Sequence, residues 1–199
     1  TGAYRDFGTR LPGSAPAGTG TRTVRATFQI QQLDSVWLPE QFTPVSVRGV
    51  SRVSYDPNSG SLITSAATSN GLSYSVDSVQ FLDTLSAAAL ESAPPVGSAP
   101  ALSADLELPA VVDGPITQLA AQITAGRSTE YAKALAIQDY LRSSRYAYSL
   151  NPPSDGSGAS ALYNFLFITR QGYCQQFAGA YAVLARAAGL PTRLAVGFA

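Results

Sequence analysis

Histidine is missing from all 199 residues, so the chain holds no imidazole for proton transfer or metal binding. Methionine is missing too, and the chain is expected to be a processed or excised segment of a longer protein. A single cysteine, Cys174, excludes an internal disulfide. One sulfur without imidazole cannot build an ordinary zinc shell, so neither a metal nor a cofactor is expected. Charge is sparse: 13% of residues are charged, the formal net charge is zero, and Lys133 is the one lysine. That balance argues against nucleic acid as a partner. No apolar run approaches the roughly 20 residues of a spanning helix, and no signal-peptide pattern is visible. A membrane anchor or export signal is expected outside this chain.

What is present suffices for a folded core, since 45% of residues are hydrophobic. Residues 1–22 are Gly-, Pro-, Ser- and Thr-rich and read as an arm or linker, pinned by Tyr4 and Phe7. From Thr23 the pattern changes. Val24, Ala26, Phe28 and Ile30 alternate with polar residues, the signature of a half-buried strand. Ser35–Leu38, Val45–Val50, Val53–Tyr55, Ser61–Thr64 and Leu72–Val79 read as further strands. Pro39, Pro44, Asp56–Gly60 and Asn70–Gly71 punctuate them. Residues 23–80 thus predict a small antiparallel β module, sandwich-like. Trp37 and Tyr74 are expected in its core.

Residues 81–112 read as a connector, with a short helix over Phe81–Ala93 and a proline-rich break over Pro94–Pro100. Helical periodicity dominates 113–199. Asp113 is the expected N-cap of a helix stopped by Gly126, with Ile116, Leu119, Ala120 and Ile123 on one apolar face. Ser128 is expected to cap a second helix running to about Ser143. Tyr146–Ser149 reads as extended, Asn151–Ser160 as a loop and Ala161–Phe167 as a short helix or turn. Cys174–Ala188 reads as a helix stopped by Gly189 and Pro191. Thr192–Ala199 has the character of a buried strand. The fold class is therefore α+β.

Cys174 stands where the loop Arg170–Tyr173 enters that helix. A thiol in a first turn faces unpaired N–H groups and the positive helix end, which favour thiolate and suit a developing oxyanion. Taken alone, a free cysteine is more often a small apolar filler. Gly172 reads as a residue permitting a sharp backbone entry. Tyr173, Gln175 and Gln176 are candidate substrate-binding or oxyanion residues. Arg186 and Arg193 flank the Gly189–Pro191 turn and read as caps on carbonyls or partners of carboxylates.

The run Arg170-Gln171-Gly172-Tyr173-Cys174-Gln175-Gln176-Phe177-Ala178 resembles the core of transglutaminase-like proteins. So do Arg186-Ala187-Ala188-Gly189-Leu190-Pro191-Thr192-Arg193 and Val196-Gly197-Phe198. Upstream matches, from Ile123-Thr124-Ala125-Gly126 to Phe165-Leu166-Phe167, are similar to the bacterial membrane-anchored (TgpA-like) branch. There a β-rich module precedes the catalytic core. The resemblance implies the helical half of a transglutaminase-like, papain-like core over 113–199, on the extracytoplasmic face of a cell membrane. It implies Cys174 as nucleophile toward a protein or peptide carboxamide, through a thioester.

Two departures stand out. Gln175 and Gln176 replace the acidic residue and histidine usual in that branch. The family's catalytic histidine and its Asp or Asn partner follow the Val-x-Gly strand and have no counterpart in these residues. The helix end alone contributes about 0.3–1 kcal/mol to an exposed thiolate, so this chain by itself is expected to be inactive. An unpaired last strand predicts a homodimer or strand swap. The alternative to an acyltransferase or amidase is a non-catalytic envelope binding or scaffolding domain of the same fold.

Overall fold

Strand formation in the first part of the chain follows the period-two pattern. The structure, a computed structural model, describes residues 4–12, 20–82, 85–96, 102–109, 112, 114–153 and 159–197. The chain divides into two compact units, the first reaching Thr84 and the second covering Leu85–Val196.

In the first unit, β1 (Arg5–Asp6), β5 (Val53–Tyr55), β6 (Leu62–Thr64) and β3 (Trp37–Leu38) form one antiparallel sheet in the order β1-β5-β6-β3. A second antiparallel sheet runs β2 (Thr21–Gln29), β7 (Ser73–Phe81), β4 (Pro44–Arg48). Val24, Ala26 and Phe28 are the half-buried side of β2, as the alternation predicts. Leu38, Val53, Tyr55 and Leu62 from the first sheet share a core with Val47, Tyr74 and Val76 from the second. Proline opens β4, and the register slips by a bulge between Pro44 and Ser46, where a missing N–H is tolerated.

The structure corrects two readings here. Part of the expected arm joins the module: β1 pairs with β5, Arg10 bridges to Ser46, and Leu11 is buried with the core. Tyr4 and Phe7 do pin it, edge-on to Trp37 and Tyr55. Trp37 itself is 44% exposed, because the two-residue strand β3 turns Leu38 inward instead. Tyr74 is buried, stacked on Phe28, and donates to the Pro39 carbonyl at 2.7 Å.

Two carboxylates in this unit differ in their surroundings. Asp77 accepts from Arg25, Ser46 and Arg48, and the Arg25 hydrogen bond foremost holds its carboxyl well below the usual range. Glu40 has a buried Oε2 without a hydrogen-bond partner, and burial pushes its carboxyl from 4.5 up to about 8.

The second unit is helical: α1 (Ala87–Glu91), α2 (Ser103–Leu106), α3 (Gly114–Ile123), α4 (Glu130–Arg142), α5 (Ala159–Tyr163) and α6 (Cys174–Ala187). The expected cap Asp113 lies outside the described residues. Thr129, not Ser128, caps α4, its hydroxyl accepting the Ala132 N–H at 3.0 Å. The helix expected over Phe81–Ala93 shortens to α1, since Phe81 still belongs to β7. Ile116, Leu119, Ala120, Ile137, Leu141 and Phe165 pack with Ala180, Leu184 and Ala185 of α6. The alanines of α6 let neighbouring helices approach closely, so its buried side is wider than one stripe.

Residues 192–197 are not the expected buried strand. They pair with no described strand, and Leu194 and Val196 are exposed, the latter at 96%. Extended backbone becomes a strand only by joining a ladder.

Candidate active site

Four short pieces bring the chain to Cys174. α5 runs directly into a π-helical turn, Asn164–Thr169, in which the Arg170 N–H closes back on the Phe165 carbonyl at 3.2 Å. Arg170 ends it in the left-handed region at φ 52°, a conformation costing about 1–2 kcal/mol for a residue with a Cβ. The chain then forms β9 (Gln171–Gly172), parallel to β8 (Ala147–Tyr148). Ala147 and Ser149 donate to the Arg170 and Gly172 carbonyls at 2.9 and 2.8 Å. This ladder joins the stretch Tyr146–Ser149, extended as its sequence predicts, to Gln171–Gly172, which reads from sequence as a loop, and fixes the entry to α6.

Cys174 is the first residue of α6 and is exposed. The bland alternative of a buried apolar filler therefore does not hold. Tyr173 is the N-cap, and the Gln176 side chain returns to its N–H in a capping box. The first-turn N–H groups that a helix leaves without intrahelical partners lie at this exposed end, which begins with Cys174.

The other predicted site residues gather at this turn. The Tyr173 hydroxyl donates to Gln175 Oε1 at 3.1 Å. The Tyr173 N–H donates to Gln176 Oε1, also at 3.1 Å. Gln175 is exposed and Gln176 half-buried. Gly172 has a different role from the predicted one. Its φ is not positive; instead a Cβ there would lie 2.8 Å from Gln176 Cβ and 3.1 Å from the Phe165 ring. Glycine is needed for close approach, not for a left-handed turn.

An aromatic floor supports the turn. Phe165, fully buried, packs against Tyr146 at 5.3 Å and Phe177 at 4.9 Å between ring centroids. Tyr148 stacks on Phe177 at 6.2 Å and is 63% exposed, so this cluster reaches the surface. The Tyr146 hydroxyl donates to the Leu166 carbonyl at 3.0 Å, and burial raises its pKa further above the usual tyrosine value. It stays a neutral donor and cannot act as the proton acceptor. Sequence reading missed Phe165 and Tyr148 as supports; the spacing Tyr146-x-Tyr148 was the available signal.

The far end of α6 is closed. The N–H groups of Ala188, Gly189 and Leu190 return to carbonyls of the last turn, and Gly189 takes φ +83° as a left-handed cap. Arg186 donates to the carbonyls of Thr192 (3.0 and 2.6 Å) and Glu107 (2.8 Å). Arg193 Nε reaches both oxygens of Asp105 at 2.9 and 2.8 Å. Both arginines behave as the sequence predicts.

Comparison with known proteins bears on the family and the fold. Residues 117–199 match the family model of the Transglutaminase-like superfamily. A protein-glutamine gamma-glutamyltransferase of Pseudomonas aeruginosa is 34% identical over 94 residues, covering 47% of this chain and 14% of that protein. The uncharacterized protein YebA of Bacillus subtilis is 32% identical over 94 residues, covering 47% of this chain and 13% of that protein. The chain thus spans a small fraction of these relatives. In fold, it is similar to the periplasmic domain of TgpA from Pseudomonas aeruginosa, with a TM-score of 0.62 and 24% identity, covering 85% of this chain and 54% of that one. The same domain bound to ethylmercury gives a TM-score of 0.59, also at 24% identity, with 89% and 61% covered.

Proposed function

We propose that Cys174 is the nucleophile of a cysteine-dependent acyl transfer or amide hydrolysis, carried out outside the cytoplasm by a bacterial envelope protein, a reading supported by the match of residues 117–199 to the Transglutaminase-like superfamily model. The observation that carries the reading is an exposed thiol at the first position of a 14-residue helix.

That position supports a definite sequence of steps. The Cys174 thiolate attacks the carbonyl carbon of a carboxamide, and the oxygen takes the developing charge beside the first-turn N–H groups. Collapse breaks the C–N bond, and the departing nitrogen takes a proton as ammonia or amine. The thioester left on sulfur is then attacked by an amine or by water, which restores the thiol. With no histidine in these residues, the reading assigns the proton shuttle to a group outside them. The exposed Tyr148 and half-buried Phe177 offer an apolar wall for a peptide substrate.

The full-length protein should release ammonia from a glutamine-containing peptide, and Cys174→Ala should lower that rate at least about a thousand-fold. The 199-residue chain should be inactive alone. If the full-length protein binds such peptides without turnover, the scaffolding alternative replaces this reading.

A further inference from the structure

We infer that Gln176 is a positioning residue, which together with Gly172 locks the first turn of α6 and so sets the orientation of Cys174. The inference rests on the nucleophile assignment proposed above and deepens it.

A capping box holds the first turn of a helix through the side chains of its cap and its third residue. The side chain of Gln176, the third residue of α6, reaches back and accepts the Tyr173 N–H at 3.1 Å, the return half of the capping box it forms with Tyr173. Geometry makes this bond local and stiff. Gln176 Cβ occupies the space that a Cβ on Gly172 would need, with 2.8 Å between them, and its Cγ lies 3.1 Å from the same point. Gly172 is in turn held by its carbonyl, which accepts the Ser149 N–H, and by the Phe165 ring beneath it.

The consequence is a division of labour within one turn. Ser149, Gly172 and Phe165 fix the approaching strand. Gln176 ties the strand to the helix across Tyr173. Cys174 lies between the tied residues, so its backbone is held from both sides while its thiol stays exposed. Gln175 differs in kind: its oxygen is held by the Tyr173 hydroxyl at the surface, outside this tie.

Variants of the intact protein test this, read by iodoacetamide labelling of Cys174 across pH and by hydrogen exchange at the Tyr173 amide. Gln176→Met keeps length and packing but removes the acceptor. It should lose protection at the Tyr173 amide and slow Cys174 labelling at neutral pH roughly two- to fivefold. Gln176→Glu keeps an acceptor oxygen and should retain the amide protection. Gly172→Ala, which pushes Gln176 away, should mimic Gln176→Met. A Gln176→Met protein with the wild-type labelling profile overturns the inference, whatever its stability. Failure of the nucleophile reading looks different: wild-type Cys174 would then label no faster than a cysteine in an unstructured peptide, while the amide protection remained.

Discussion

The two units of this protein leave polar groups unanswered in different locations. In the β unit, the unanswered group is inside: Glu40 Oε2 is buried without a partner, while Asp77 of the same unit is met by two arginines and a serine. In the helical unit, the far end of α6 is closed by backbone, and the N–H groups of the first turn lie at the exposed end that begins with Cys174. An unsatisfied group in the interior costs stability whatever else happens. Open donors at a surface cost little, because water serves them until a substrate oxygen does. The first arrangement makes the β unit sensitive to pH; the second sets an exposed thiol at the start of a helix.

The largest effect on this contrast comes from Glu40. Its folded pKa is raised, from 4.5 to about 8, so the stability it contributes is fully present below its ordinary pKa and is lost as pH rises through about 8. Asp77 has the opposite sign: its contribution is present above its ordinary value of 3.8 and is lost as pH falls below it. Denaturant titrations of the β unit should therefore show a maximum near about pH 4–5. Glu40→Gln should flatten the alkaline limb, stabilising the unit at about pH 8.5 by on the order of 3 kcal/mol. An unchanged alkaline limb would mean that Glu40 finds a partner on ionising.

Next comes the closed end of α6. Arg186→Ala leaves the Thr192 and Glu107 carbonyls without their guanidinium donor and should cost about 1–3 kcal/mol, seen as a lower urea midpoint. Labelling of Cys174 in the folded state should not change, since the two ends of the helix are independent. A matching change in labelling would tie them together and blunt the comparison.

The smallest effect is expected at Asp105. Its partner Arg193 is largely exposed, 55% at the side chain, so solvent screens the pair. Asp105→Asn should cost no more than about 1 kcal/mol, and less in high salt.

Much of this was legible because periodicity reports burial. Alternation along Val24, Ala26 and Phe28 marked β2, and Ile116, Leu119 and Ala120 marked the buried side of α3. Cys174 was legible because helix entry and residue type coincide. The exposure of Trp37 was not, since a two-residue strand has no pattern to say which of its residues points inward. The role of Gly172 was hidden for a different reason: a missing Cβ can serve backbone freedom or close packing, and only the position of Gln176 decides between them. Residues 192–197 have strand composition, but a ladder needs a neighbour that composition cannot supply. The π turn was out of reach because its extra residue leaves no mark on the hydrophobic pattern.

That turn acts as a shim. Each residue added to or removed from a regular helix rotates the downstream chain by about 100°, and Asn164–Thr169 takes up more residues per turn than an α-helix would. The number of residues between Phe165 and Gly172 therefore matters more than their identity. Ile168, exposed at 66%, can be exchanged at small cost, whereas its deletion should shift β9 against β8, read as lost hydrogen-exchange protection at Ala147 and Ser149. Spacing, measured in whole residues, is what brings β9 into register with β8 just ahead of Cys174.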